Sequence, residues 1–293
     1  MEFRVLKYFL AVVREENITR AAEVLHITQP TLSRQLAQLE EEVGVKLFDR
    51  GKKSITLTDE GMLLRRRAQE IVELVDKTEH ELMMEDEEIS GRISIGCGEL
   101  AAVNILPDIF RTFVRKYPLV TYDIYTATAD QVKERMEKGL IDIGLLLEPV
   151  NIEKFDFIRL DIKERWVVLM RPDDPLAEKE AVTAGDLTDR PLIMASRSDV
   201  QHELAGWFGD SFDDLNILFT SNLATNAAVM VENGRGCALV VEGAVPFWDR
   251  SRICRRPLSP ELSLTSVLAW KRQQPFGAAA MKFIEHIKTC IRR

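Results

Sequence analysis

The sequence predicts a multidomain fold joining α+β and α/β parts. It reads as an N-terminal winged helix-turn-helix, a long linker helix and a C-terminal α/β body of two lobes. Three observations predict it. Residues 17–44 place two short amphipathic segments either side of a tight polar break. Residues 59–88 carry one unbroken helical pattern. After Ile89-Ser90-Gly91, strands and helices alternate to the end in two groups. The expected parts are therefore 1–58, 59–88 and 91–293, the last divided into lobe I (91–160 and 267–293) and lobe II (161–266). With 293 residues, 46% of them hydrophobic, the chain can bury two or three separate cores.

In the first part, Phe3, Leu6, Phe9, Leu10 and Val13 recur at three- and four-residue spacing, the buried face of a helix. Asn17 suits the cap of a second helix that turns Ala21, Ala22 and Leu25 inward. His26-Ile27-Thr28 is the break. Pro30 fits the first turn of a third helix and disfavours helical geometry at Gln29, so the start is placed only to within a residue. Leu32, Leu36, Leu39 and Val43 form a single apolar stripe on that helix, and the opposite side carries Pro30, Ser33, Arg34 and Ala37. Glu40, Glu41 and Glu42 lie at its far end, where they would repel phosphate.

That outward face is small, polar and cationic, as a helix entering the major groove requires. Arg34 can fork onto guanine, Ser33 and Gln29 can bond base edges or phosphate, and Ala37 can touch a thymine methyl. An ordinary helical hairpin with a solvated face has the same spacing. The next stretch of chain favours the groove reader. Residues 45–61 read as strand, Arg50-Gly51-Lys52-Lys53 turn, strand, with Leu47, Phe48, Ile55 and Leu57 inward. A cationic hairpin tip in that place is a wing able to track phosphates. Thr58 then caps a helix whose first residues, Asp59 and Glu60, suit its positive end. Leu64, Ile71, Leu74 or Val75, Thr78 and Leu82 keep a seam along it, which a second copy of the chain would bury. A solvated connector is the alternative.

In the body, 91–97 alternates as a strand, and residues 104–118 carry a helical apolar stripe ending at Pro118. The stretches 120–127, 130–140 and 141–147 complete a βαβαβ half. A second half runs from 165 through 189–196, 201–208, 215–221, 224–234 and 236–241. The strand 264–270 and the helix 277–291 return to the first half, so two crossings, near 160 and 266, make a hinged pair of lobes. Ligands of such sheets bind beyond the carboxyl ends of strands, against helix starts. That points to Gly98, Glu99 and Leu100; Thr126 and Thr128; Leu147 and Glu148; Ser196 and Arg197; and Ser221, Asn222 and Thr225. Singly, each is also what a solvated loop presents; their convergence points to a ligand.

Composition narrows the function classes. A net charge of −8 argues against coating nucleic acid or membrane with the whole molecule, while leaving room for a local docking surface. The amino terminus shows no export signal and no stretch is long and apolar enough to span a bilayer, so a cytoplasmic location is expected. Cys97, Cys237, Cys254 and Cys290 are scattered, as reduced thiols are, and neither they nor the four histidines show metal-ligand spacing; no metal or cofactor is expected. Catalysis is disfavoured because Cys97-Gly98 has no histidine placed to activate it and His202-Glu203 lacks a second histidine. A solute receptor would leave residues 1–88 without purpose.

The order Ala21-Ala22, Leu25, Gln29-Pro30, Leu32-Ser33-Arg34, Leu39-Glu40, Gly44, Leu47-Phe48, Arg50 and Thr58-Gly61 closely resembles the LysR-type transcriptional regulators, and the likeness covers the whole length. It implies that Gln29, Pro30, Thr31, Ser33 and Arg34 contact groove and phosphate and that Arg50, Lys52 and Lys53 form the wing. It also implies a dimerising linker helix and a periplasmic-binding-protein-like domain sensing a small-molecule effector. The partners expected are double-stranded promoter DNA, further copies in a homodimer or homotetramer, and RNA polymerase, without a membrane role. One departure stands out. Family members that bind carboxylate effectors often carry Ser or Thr just after the first strand, where this chain has Gly98-Glu99-Leu100. Glu99 and Glu148 favour a cationic, amphoteric or neutral ligand, and Arg197 an anion.

Overall fold

The computed structural model describes residues 1–50, 55–82, 89–244 and 248–291. The chain divides into two compact units, Met1–Met83 and Met84–Arg293. Among the described residues no helix is long and apolar enough to cross a membrane.

The first unit holds α1 (Phe3–Glu15), α2 (Ile18–Val24), α3 (Gln29–Val43), β1 (Phe48–Arg50), β2 (Ile55–Leu57) and α4 (Asp59–Leu82). Leu6, Phe9, Ala21, Ala22, Leu32, Leu36 and Leu39 are buried together as the three- and four-residue spacings anticipate, while in α1 Val5 and Val12 are buried and Phe3, Leu10 and Val13 only half-buried. Asn17 caps α2 by accepting the Arg20 amide at 3.1 Å, and Thr58 caps α4 by accepting the Gly61 amide at 3.0 Å. Between α2 and α3, His26 turns the chain with a φ of 54°. β1 and β2 pair antiparallel, Phe48 opposite Leu57 and Arg50 opposite Ile55. Gly61 lets α4 start against this hairpin, since a Cβ there would lie 2.1 Å from the Leu47 carbonyl oxygen.

Three expectations in this unit need correction. Val43 does not extend the apolar stripe but is 38% exposed, because α3 runs past the edge of the core and ends at Gly44 (φ 74°). Leu64 belongs to the unit's own core with Ala68 and Val72, leaving Met62, Leu63, Ile71 and Leu74 as the exposed large apolar residues among the described side chains of α4. Glu40 is not a surface charge. It is 5% exposed, and its carboxylate accepts the amides of Leu47 (2.8 Å) and Phe48 (3.3 Å) at the entry to β1.

The second unit holds β3 (Ser90–Cys97), α5 (Leu106–Val114), β4 (Leu119–Thr126), α6 (Ala129–Glu137), β5 (Ile143–Leu147), β6 (Phe155–Met170), β7 (Leu192–Ala195), α7 (Ser198–Phe208), β8 (Ile217–Ser221), α8 (Ala224–Glu232), β9 (Cys237–Val241), β10 (Cys254–Pro257), β11 (Ser263–Lys271) and α9 (Ala278–Ile291). Strand order is β4-β3-β5-β11-β6-β9-β7-β8, with β10 also on β6. β3 runs parallel to β4 and β5, β7 runs parallel to β8 and β9, and β11 is antiparallel to both neighbours. Successive residues of β5 and β11 enter different cores, as the period of two requires. Leu145, Leu268 and Trp270 join one; Leu146, Val267 and Ala269 meet Val132 and Met136 of α6 in the other.

The two halves of this sheet meet at β6, which passes through both without a break. It pairs with β11 as far as Arg165 and with β9 from Trp166 onward. The return falls at Leu262-Ser263, where the Trp166 amide donates to the Leu262 carbonyl at 2.8 Å. The sequence places these crossings near 160 and 266. The ladder changes partner a few residues later on one strand and earlier on the other, because no turn residue interrupts either strand to mark the change.

Candidate functional site

Two surfaces gather the expected residues. On the first unit, Leu32, Leu36 and Leu39 anchor α3, and its outward side carries exposed Gln29, Pro30, Arg34 and Ala37 with half-buried Thr31 and Ser33. Gln29 donates through Nε2 to Ser33 Oγ at 3.1 Å, and the hydroxyls of Thr28 and Thr31 lie 2.8 Å apart. The Thr28 side chain therefore does not cap the helix, and the first amides of α3 remain open to an anion. Arg34 forms no hydrogen bond or ion pair among the described residues, so its five donors are available in a fixed fork. Lys52 and Lys53 lie outside the described residues, and Arg50 is described only by its backbone pairing with Ile55.

The second surface is a cavity of ≈ 110 Å³ where the carboxyl ends of β3, β5, β7 and β8 converge. Of the expected residues it gathers Gly98, Glu99, Leu100, Thr128, Leu147, Arg197, Ser221 and Asn222. Four others lie off its wall. Thr126 is the exposed end of β4, and Ser196 is exposed with its amide on the Ser221 carbonyl. Glu148 turns away, where Arg159 (2.7 and 2.9 Å) and the Thr265 hydroxyl hold its carboxyl below the usual range against the opposing effect of burial. Thr225 meets the site only through Glu99.

Two charged side chains bridge the lobes at this cavity. The Glu99 carboxylate, just past β3, accepts the amides of Ala224 (2.6 Å) and Thr225 (3.2 Å) and the Thr225 hydroxyl, so it caps α8 from across the cleft. Arg197, 9% exposed, reaches the other way. It donates to Asp130 (3.0 Å), to the Leu147 carbonyl (3.0 Å) and to the Pro149 carbonyl. Where the lobes cross, buried Glu164 accepts the amides of Ala101 and Ala102, both at 2.9 Å, and the Ser266 hydroxyl at 3.2 Å. Gly243 packs against the same turn, and a Cβ there would sit 1.9 Å from the Ala101 amide nitrogen.

Most of the wall is not legible in the sequence. Trp166, Ile193, Met194, Val200, Ala227 and Leu239 line it, and in one dimension they are indistinguishable from core residues of strands and helices. Trp166 is 3% exposed, and its buried Nε1 has no hydrogen-bond partner among the described residues. Asp130, Glu164 and Glu40 likewise escape sequence reasoning, since a lone acidic residue on a helix or strand reads as solvated.

Comparison with known proteins adds to this geometry. Residues 3–62 match the model for the bacterial regulatory helix-turn-helix protein, lysR family, and residues 86–290 match the LysR substrate binding domain. The Hca operon transcriptional activator of Escherichia coli (strain K12) is 31% identical over 286 residues, covering 93% of this chain and 92% of that protein. The HTH-type transcriptional regulator BsdA of Bacillus subtilis (strain 168) is 36% identical over 290 residues, covering 97% and 99%. Among solved structures, full-length CbnR complexed with its target DNA superposes with a TM-score of 0.73 at 22% identity, over 99% of each chain, a likeness of fold.

Proposed function

The chain belongs to the LysR family of bacterial transcription regulators, and from that premise we propose how its residues divide the work. It is a sequence-specific DNA-binding regulator with an effector-binding domain, and not an enzyme. Gln29, Pro30, Thr31, Ser33 and Arg34 read the major groove and its phosphates, and Arg50, Lys52 and Lys53 serve as the wing. Two copies join through the exposed apolar residues of α4, as a homodimer or the unit of a homotetramer, on promoter DNA and in reach of RNA polymerase. The cleft lined by Gly98, Glu99, Leu100, Thr128, Arg197 and Asn222 holds the effector. Occupancy shifts the population of pre-existing lobe arrangements toward the one the ligand binds better.

The observation that carries this reading is the face of α3, where an unengaged Arg34 stands on a helix locked by three buried leucines. The test is a footprint of the purified chain on the DNA flanking its own gene, at stated salt and with excess nonspecific competitor. Protection of an interrupted palindrome is expected. Arg34→Ala should weaken it by about tenfold to hundredfold, the worth of a bidentate contact to guanine, with fold and oligomer intact. Normal protection by Arg34→Ala would remove it from the reading face.

A further inference from the structure

We infer that the effector of this cleft is a small, uncharged, mainly apolar molecule bearing one hydrogen-bond acceptor, such as a carbonyl compound of one ring, and not a carboxylate. The inference rests on the reading of the cleft as the effector site and names the class of ligand it takes.

The wall is made of apolar surface, with Trp166, Ile193, Met194, Val200 and Ala227 among its members. Its volume of ≈ 110 Å³ is of the order of the roughly 150 Å³ that accommodates benzene in a dry apolar cavity. The ionic groups at its edge are already engaged. Of the helix starts at the cleft, that of α8 holds the protein's own carboxylate: Glu99 takes both the Ala224 and Thr225 amides and the Thr225 hydroxyl. Arg197, the cation at the wall, is consumed by Asp130 and by the carbonyls of Leu147 and Pro149. A carboxylate entering here would be desolvated beside Glu99 with no free cation among the described wall residues to meet it.

Among the described wall residues one buried polar group is left over, beside the exposed Asn222 side chain. The Trp166 indole N–H is buried without a partner among the described residues, and indole nitrogen can only donate. A buried unpaired donor is costly unless a ligand or water accepts from it, and the partner it selects is an acceptor. Apolar lining with one buried donor and a neutral amide, that of Asn222, is the pattern of a site that recognises a neutral carbonyl or ether oxygen on an apolar body.

Benzamide and benzoate test the charge, because they share shape and size. Calorimetric titration of the full-length chain should show benzamide binding at least about tenfold more tightly than benzoate. Glu99→Ser should free the α8 amides and raise benzoate affinity by about tenfold or more. Trp166→Phe should weaken benzamide about fivefold while leaving toluene, which has no acceptor, unchanged. Benzoate binding wild type as tightly as benzamide, or neither binding up to about 10 mM, would overturn the inference, as would equal losses of benzamide and toluene in Trp166→Phe. A cavity-filling Ala227→Phe separates the two levels. If it blocks the probes, they sit in the cleft and the order of affinities decides the class. If it leaves their binding untouched, they lie elsewhere, and both the inference and the assignment of the cleft fail.

Discussion

Glu40 shows what a single side chain contributes and how poorly sequence announces it. Three consecutive glutamates at the end of α3 look alike in one dimension, yet only the first turns under the chain to receive the Leu47 and Phe48 amides, with Lys46 at 3.3 Å. Burial raises its carboxyl, and the two amides and Lys46 outweigh that, so its pKa lies below the usual 4.5. A depressed folded pKa stabilises the folded state above the unfolded value and loses that stability as pH falls through the folded one. Glu40→Gln is therefore expected to cost about 1–2 kcal/mol at neutral pH, the difference between charged and neutral acceptors. The gap from wild type should shrink as pH drops below 4.5. Urea unfolding at pH 7, 5 and 3.5 checks it; a gap that is constant with pH would mean the carboxylate charge is not what secures the wing. The reading face of α3 is legible for the opposite reason. Arg34 and Ser33 oppose Leu32 and Leu36 on a regular helix, and periodicity alone determines which way each points.

Among the elements, those with one buried face are legible. α1 to α3, α5 and α6 each repeat at the period their geometry demands, while β3 and β5 are buried on both faces and β5 reads as a short apolar run. The first half of β6 and all of β10 are not. Residues 155–165 alternate charged and apolar side chains but lie between half-exposed neighbours, and β10 is the arginine-rich Cys254–Pro257, which pairs with β6 alone. α4 is legible as a helix but not in its division of labour. Leu64, Ala68 and Val72 face its own unit, and Met62, Leu63, Ile71 and Leu74 are left open. If a second copy buries this stripe, Ile71→Glu with Leu74→Glu places four charges in the paired interface. Given about 1.5–3 kcal/mol per buried aliphatic side chain, association should weaken by at least about hundredfold. Sedimentation at micromolar concentration should then find monomer, and the long footprint should be lost. An unchanged mass would place the dimer contact elsewhere.

At the scale of the whole chain, alternation of strand and helix is enough to read the α/β sheet that follows Ser90, but not the joining of residues 59–82 to the first unit, nor the cavity. Its wall draws on Leu100, Trp166, Met194 and Ala227, residues far apart in sequence whose apolar character serves a core equally well. Convergence is a property of topology, which is why Glu99 and Arg197 can be named as pocket residues from sequence while their attachment across the cleft cannot. Net charge, by contrast, is fully legible and constrains how the molecule finds DNA. At −8 overall, the chain as a whole repels a polyanion, so attraction has to come from a few local cations. Each phosphate contact contributes a slope of about −0.9 to the logarithm of affinity against the logarithm of salt. Removing Lys52 and Lys53 together should therefore reduce the slope by up to about 1.8 and weaken all sequences alike. Arg34→Ala should instead change the ranking of operator variants, because a base contact carries sequence information that a phosphate contact does not. Titrating a set of single-base operator variants at four salt concentrations separates the two. A wing variant that reorders the operators, or keeps the wild-type slope, would show that those lysines do not follow the phosphate backbone.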